Sequence, residues 1–141
     1  MPTTTDYLKT LTVASRLDFG PHGFIQELSA LARAWKALVE GGVADMDRLQ
    51  SMFRSATPAG RIYAALLMAL ADPPLGARAL DELSKDKTEV LVMYHRSCVR
   101  ESLSVSECVS RLKTGSLSGD DHVADAVTRA LSSMPDDPNE I

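Results

Sequence analysis

Apolar side chains recur along this chain at three- and four-residue steps, the spacing of amphipathic helices. The longest stripe runs from Gly23 to Glu40, with Phe24, Ile25, Leu28, Leu31, Ala32, Trp35, Leu38 and Val39 on one face and Gly41-Gly42 as its stop. Trp35 lies on that stripe and is assigned to the core rather than to a binding surface. A shorter helix is expected from an Asp6 N-cap, with Tyr7, Leu8, Leu11 and Ala14 inward, ending before Gly20-Pro21. Asp45 opens another, with Met46, Leu49, Met52 and Phe53 on one side.

Thr57-Pro58 is a helix start, Thr as N-cap and Pro at the first helical position, where its missing N–H is no loss. The body that follows, Ile62 to Ala71, is apolar on nearly every side and therefore belongs at the centre, covered by other helices or by a second copy of the chain. Asp72-Pro73-Pro74 ends it and begins the next, with Leu75, Ala79, Leu80 and Leu83 inward. Asp86 and Glu89 resemble an acidic capping box ahead of Val90, Leu91, Tyr94, Cys98 and Val99. Val90 to Tyr94 also has the β-branched and aromatic content of a strand, but no convincing partner strand is visible, which favours helix. Ser104 and Glu107 form a fuller box before Val105, Cys108, Val109 and Leu112, ended by Gly115. A last helix, capped by Ser118 or Asp120, carries Val123, Val127, Ala130 and Leu131.

The expected fold is all-α, a compact irregular bundle of about seven or eight short helices joined by short connections. Residues 1–134 form one domain and 135–141 an acidic disordered tail. At an offset of 29, Ile62 aligns with Leu91 and Glu82-Leu83-Ser84-Lys85 with Arg111-Leu112-Lys113-Thr114, so the alternative is a short HEAT-like array of helical hairpins.

Composition agrees with a globular domain. The chain has 141 residues, 45% hydrophobic and 24% charged, a size at which about 68–70% of the unfolded surface can be buried. The N-terminus lacks a basic stretch followed by an apolar one and does not resemble a secretory signal, so a cytoplasmic location is expected. Cys98 and Cys108 then read as reduced thiols. The net charge of −4 is concentrated at the C-terminus, where residues 116–141 carry one basic and six acidic side chains. Residues 85–115, with six basic and four acidic, are the one mildly basic stretch.

Candidate chemistry is sparse. His95 and Cys98, three apart on a helix, could join Cys108 and His122 around a metal, but the spacing is that of no zinc motif, and no metal or cofactor is expected. The same pair could form an activated thiol beside Arg96 and Arg100, yet Cys98 falls on the apolar stripe, where burial raises a thiol pKa. The carboxylate pairs Asp81-Glu82, Asp120-Asp121 and Asp136-Asp137 sit at helix ends or in the tail, and no phosphate-cradling glycine motif is present. Gly60 permits close helix packing, and Arg61 reads as a solvated charge.

The functional expectation is a non-enzymatic protein–protein interaction module: a small helical adaptor, regulatory or immunity-type protein that binds another protein and has the option of self-association. Its candidate partner-binding residues are Lys87, Arg96, Arg100, Arg111 and Lys113, a basic face able to steer an acidic partner. One alternative is a nucleic-acid-binding regulator using residues 85–133, disfavoured by Asp120, Asp121 and Asp125 on the would-be recognition helix. The other is a small enzyme with a site around His95 and Cys98.

Overall fold

The computed structural model describes residues 3–19, 29–42, 45–93, 100–115 and 121–133, with backbone alone at Met93 and Arg100. Among these residues the chain is mostly helical, with seven helices and one small sheet. In order they are α1 (Thr4–Thr12), β1 (Arg16–Leu17), α2 (Ala30–Gly41), α3 (Met46–Ser55), α4 (Pro58–Ala71), α5 (Pro73–Leu83), β2 (Glu89–Met93), β3 (Arg100–Ser104), α6 (Val105–Thr114) and α7 (Asp121–Ser133).

Helix α4 is the centre. Thr57 caps it by accepting the Gly60 amide at 3.1 Å, and Pro58 opens its first turn. Every residue from Ile62 to Ala69 is buried, and all six other helices touch α4. The all-round apolar run is therefore covered by this chain's own elements. A stack of hairpins would bring each pair against its neighbours alone. Here α1 packs on α4 from one end of the sequence and α7 from the other. The segments aligned at an offset of 29 are not structural repeats either, since Ile62 lies in α4 and Leu91 in β2.

Two close approaches fix helix placement. A Cβ on Gly60 would stand 2.6 Å from the Leu11 carbonyl oxygen, so glycine lets the end of α1 rest on the first turn of α4. A Cβ on Gly76 would land on the backbone of Ala69, so α5 folds back on α4 at main-chain contact.

Several boundaries differ from the sequence expectation, each for a local reason. The cap of α1 is Thr3, three residues before Asp6. Its hydroxyl accepts the Asp6 amide at 3.2 Å, and the Asp6 carboxylate accepts the Thr3 amide at 2.9 Å, so Asp6 is the acidic member of a capping box rather than its start. Helix α2 begins at Ala30, because Ser29 is extended (φ −70°, ψ 169°) and its hydroxyl accepts the Ala32 amide at 3.1 Å. The expected helix from Gly23 is thereby interrupted at Ser29; Phe24, Ile25 and Leu28 lie outside the described residues. Asp45 and Thr57 cap as expected.

The largest correction is at Val90. The all-α expectation holds only coarsely, because residues 89–93 are a strand in a sheet of order β1-β2-β3. β2 runs antiparallel to β3, with Val90 opposite Leu103 and Val92 opposite Glu101, and parallel to β1, with Leu17 opposite Val92. Val90, Val92, Leu103 and Leu17 are buried while Glu89 and Ser102 face solvent, the two-residue alternation of a half-buried sheet. The partner strand Arg100-Glu101-Ser102-Leu103-Ser104 buries Leu103 as its apolar anchor, and β1 is two residues long. Neither carries a hydrophobic run.

Asp86 does not cap a helix. Its carboxylate accepts the Thr88 amide at 2.8 Å and meets Arg61 at 3.3 Å. Arg61 is likewise no solvated charge: it donates to the Phe53 carbonyl at 3.1 Å and lies over the Phe53 ring at 5.0 Å. This one guanidinium ties α3, α4 and the turn after α5 together.

Helix α6 starts where Ser104 accepts the Glu107 amide at 3.1 Å and ends at Gly115, in the left-handed region (φ +77°). The expected caps of α7, Ser118 and Asp120, and the tail 135–141 lie outside the described residues. No helix among the described residues is long and apolar enough to cross a membrane.

Candidate functional site

The carboxyl ends of α2 and α4 meet the amino-terminal half of α7 around a cleft of about 550 Å³. Each end is set by local chemistry. Helix α2 stops at Gly42, whose positive φ of 78° turns the chain while its amide donates to the Leu38 carbonyl at 2.8 Å. Helix α4 stops at Asp72, whose amide donates to Met68, and Pro73 begins α5 without delay. Helix α7 packs against α4 and α5 and buries Val123, Ala126, Val127 and Ala130.

The floor of the cleft is apolar: Leu38 and Leu67 are buried, Val39 and Leu70 half-buried. Gly41 and Gly42 leave one wall without side chains. His122, Asp125 and Arg129 form the α7 edge. Arg129 pairs with Asp125 at 3.1 Å, one helical turn away, and reaches the Leu70 carbonyl at 3.4 Å, so it binds the edge of α7 to the last turn of α4.

Of the basic face expected from the sequence, the side chains of Lys87, Arg111 and Lys113 are among those described. Arg111 is engaged by Glu101 of β3 at 3.4 Å and Glu107 of α6 at 3.3 Å. Lys87 is exposed, with Nζ at 3.3 Å from the Ser106 hydroxyl, and Lys113 is partly exposed on α6. Arg100 belongs to β3 through its backbone, and Arg96 lies outside the described residues. A guanidinium flanked by two carboxylates presents little net positive charge to a partner.

The candidates for catalysis and metal binding do not converge in what is described. His95 and Cys98 lie outside the described residues. Cys108 is buried in the core, where desolvation pushes its thiol up to about 11, whereas His122 lines the open cleft. No group of three or more His, Cys, Asp or Glu side chains among the described residues is placed to hold a metal ion. The cleft itself was not foreseen from sequence. Its lining comes from three segments far apart in the chain, and their residues read separately as helix ends.

Comparison with protein-family models, curated proteins and solved structures gave no match.

Proposed function

We propose that this chain is a non-enzymatic protein–protein interaction module, a small helical adaptor or regulatory protein of the cytoplasm, which receives a segment of a partner in the α2–α4–α7 cleft. In this reading the helices form one compact irregular bundle on α4, and the bundle serves to hold the cleft open. The observation that carries the proposal is the combination of size and lining. An open cleft of about 550 Å³ has room for an apolar side chain of a partner segment. An apolar floor with a polar edge can desolvate one anchor side chain, worth about 1.5–3 kcal/mol when fully buried, while the edge fixes its direction.

The basic face around Lys87, Arg100, Arg111 and Lys113 is the weaker surface, because Arg111 is already neutralised by Glu101 and Glu107. The free, buried Cys108 thiol is in keeping with a reducing compartment.

The test is capture of a partner from native lysate with the full chain, followed by rebinding of the purified components to the wild type and to Val39→Glu. Val39 is half-buried at the cleft and packs against the edge of the core, so the added carboxylate blocks the floor, and an unchanged circular dichroism spectrum separates that from unfolding. Loss of binding is expected. Undiminished binding moves the docking surface elsewhere, and failure to find any protein that rebinds in purified form overturns the proposal.

A further inference from the structure

We infer that the groove between α1 and α3 is a binding site for the phosphate group of a small phosphomonoester. It shares no residue with the α2–α4–α7 cleft and goes beyond the interaction reading.

The groove is open, holds about 230 Å³ and takes one face from each helix. On α1 that face is Thr5, Leu8, Lys9 and Thr12. On α3 it starts at Arg48 and repeats the same steps of three, four and seven residues through Ser51, Met52 and Ser55, which places each set in one row. The helices run in the same direction. Arg48, near the start of α3, meets the Thr5 hydroxyl at 2.8 Å, and the Thr57 amide, just past α3, donates to the carbonyl of Thr12, the last residue of α1, at 3.0 Å. Leu8 and Met52 are each 5% exposed and close the floor.

The charged side chains in the lining are Lys9 and Arg48, both cations, with no carboxylate beside them. In this chain of net charge −4, Arg61, Arg111 and Arg129 are each taken by an acid. Arg48 instead donates to a neutral hydroxyl, and among the described residues neither Lys9 nor Arg48 has a carboxylate within ion-pair distance. Asp6, Asp45 and Asp47 are close in sequence but outside the lining, and the first two are engaged at helix starts, accepting from Thr3 and from the Arg48 amide. Thr12 and Ser55 donate their protons to the Leu8 and Ser51 carbonyls at 2.6 and 2.9 Å. The donors that face the groove are thus the Lys9 ammonium, the remaining N–H groups of Arg48 and the hydroxyls of Thr5 and Ser51. A phosphomonoester brings about −1.5 to −2 charge and three acceptor oxygens at neutral pH, which matches two cations and several donors better than a carboxylate does. The floor is too little exposed to anchor an apolar side chain, so the binding energy comes from the charged group itself, as suits a small ester. Both cations are exposed, and affinity should fall as salt rises.

The experiment is NMR titration of the isotope-labelled full chain with glycerol 2-phosphate at constant low ionic strength, with acetate and chloride as comparisons. Saturable amide shifts confined to residues 5–12 and 48–55 are expected, with a Kd on the order of 1 mM and acetate at least about tenfold weaker. Arg48→Gln and Lys9→Gln, at exposed positions, should each weaken the ester roughly fivefold to tenfold with an unchanged spectrum elsewhere. Lys36→Gln, exposed on α2 and outside the groove, should leave the affinity within about twofold. Shifts that do not saturate, or that chloride reproduces, identify an adventitious ion only and overturn the inference. So does a loss in Lys36→Gln equal to that in Arg48→Gln, which would mark general charge rather than a site. Acetate binding as tightly as the ester overturns the phosphate assignment. A phosphoserine peptide that binds the groove at least about tenfold more tightly than the ester overturns the small-molecule source in favour of a phosphorylated partner. Each of these outcomes leaves the reading of the α2–α4–α7 cleft untouched.

Discussion

The hydroxyl of Tyr63 holds the backbone of Asp18 by both of its hydrogen-bonding groups, accepting from the amide at 2.6 Å and donating to the carbonyl at 2.8 Å. Tyr63 is wholly buried on α4, between the rings of Phe19 at 5.0 Å and Trp35 at 6.0 Å. Burial pushes its phenol well above the ordinary range, so it stays neutral and can act as donor and acceptor at once. This contact ties β1 to the central helix. Tyr63→Phe keeps the ring and removes the partner of two buried main-chain groups. A loss of about 1–3 kcal/mol is expected, read from chemical denaturation midpoints at constant slope.

Gly76→Ala should be costly for a different reason. The new methyl meets the backbone of Ala69, which has no rotamer by which to yield, so α5 must back away from α4. Overpacking of this kind costs typically 1–3 kcal/mol, occasionally more. Gly115→Ala meets no atom within 4 Å but sits at φ +77°, and its cost should be about 1–2 kcal/mol from backbone strain alone. Thermal unfolding separates the two mechanisms: Gly115→Asn, which tolerates the left-handed region, should recover part of the second loss, whereas at position 76 any Cβ meets the Ala69 main chain.

Acid should loosen the turn after α5. The Thr88 amide, and behind it Arg61, hold the Asp86 carboxyl below its usual value of 3.8. A group whose folded pKa is depressed contributes stability that is present above the unfolded pKa and is lost as pH falls through the folded one. The Asp86 contribution is therefore constant near neutrality and disappears below about pH 4. Asp86→Asn should cost about 1 kcal/mol at pH 7, and the gap between the two proteins should close on acidification. A gap that persists unchanged at pH 2.5, measured by urea denaturation, would contradict the assignment.

Cys108 should be chemically silent in the folded state. It is fully buried, and desolvation raises its thiol to about 11, so thiolate is scarce at neutral pH. In a Cys98→Ser background, alkylation by iodoacetamide at pH 7 should follow global unfolding, with rates that rise with denaturant. Modification at the rate of a free thiol in native buffer would show that the α6 core is open.

How much of this was legible in sequence depended on whether the signal was local. Thr57-Pro58, Asp45 and Gly115 each declare themselves within a few residues and stand where the pattern placed them, and the apolar run of Ile62 to Ala71 is buried as far as Ala69. Trp35 was assigned to the core and is fully buried there. The strand at Val90 was not legible, because what stabilises it is a polar segment ten residues on and a dipeptide more than seventy residues earlier. Neither partner carries a run of apolar residues. Capping chemistry also misled where a side chain had two uses. Asp86 looked like a cap and instead turns the chain toward β2, and Asp6 serves the cap from inside the first turn. The cleft belongs to the same class of hidden feature, since it exists only once three helix ends are brought together.

The central position of α4 also sets a schedule for synthesis. Its apolar surface is complete when residue 71 leaves the ribosome, but one of its covers, α7, ends at residue 133. At about 5–20 residues per second, several seconds pass in which that face has no native partner. During that interval the nascent chain presents to the cell the same kind of surface that chaperones recognise, and the order in which the helices are encoded, rather than their final stability, decides how long the exposure lasts.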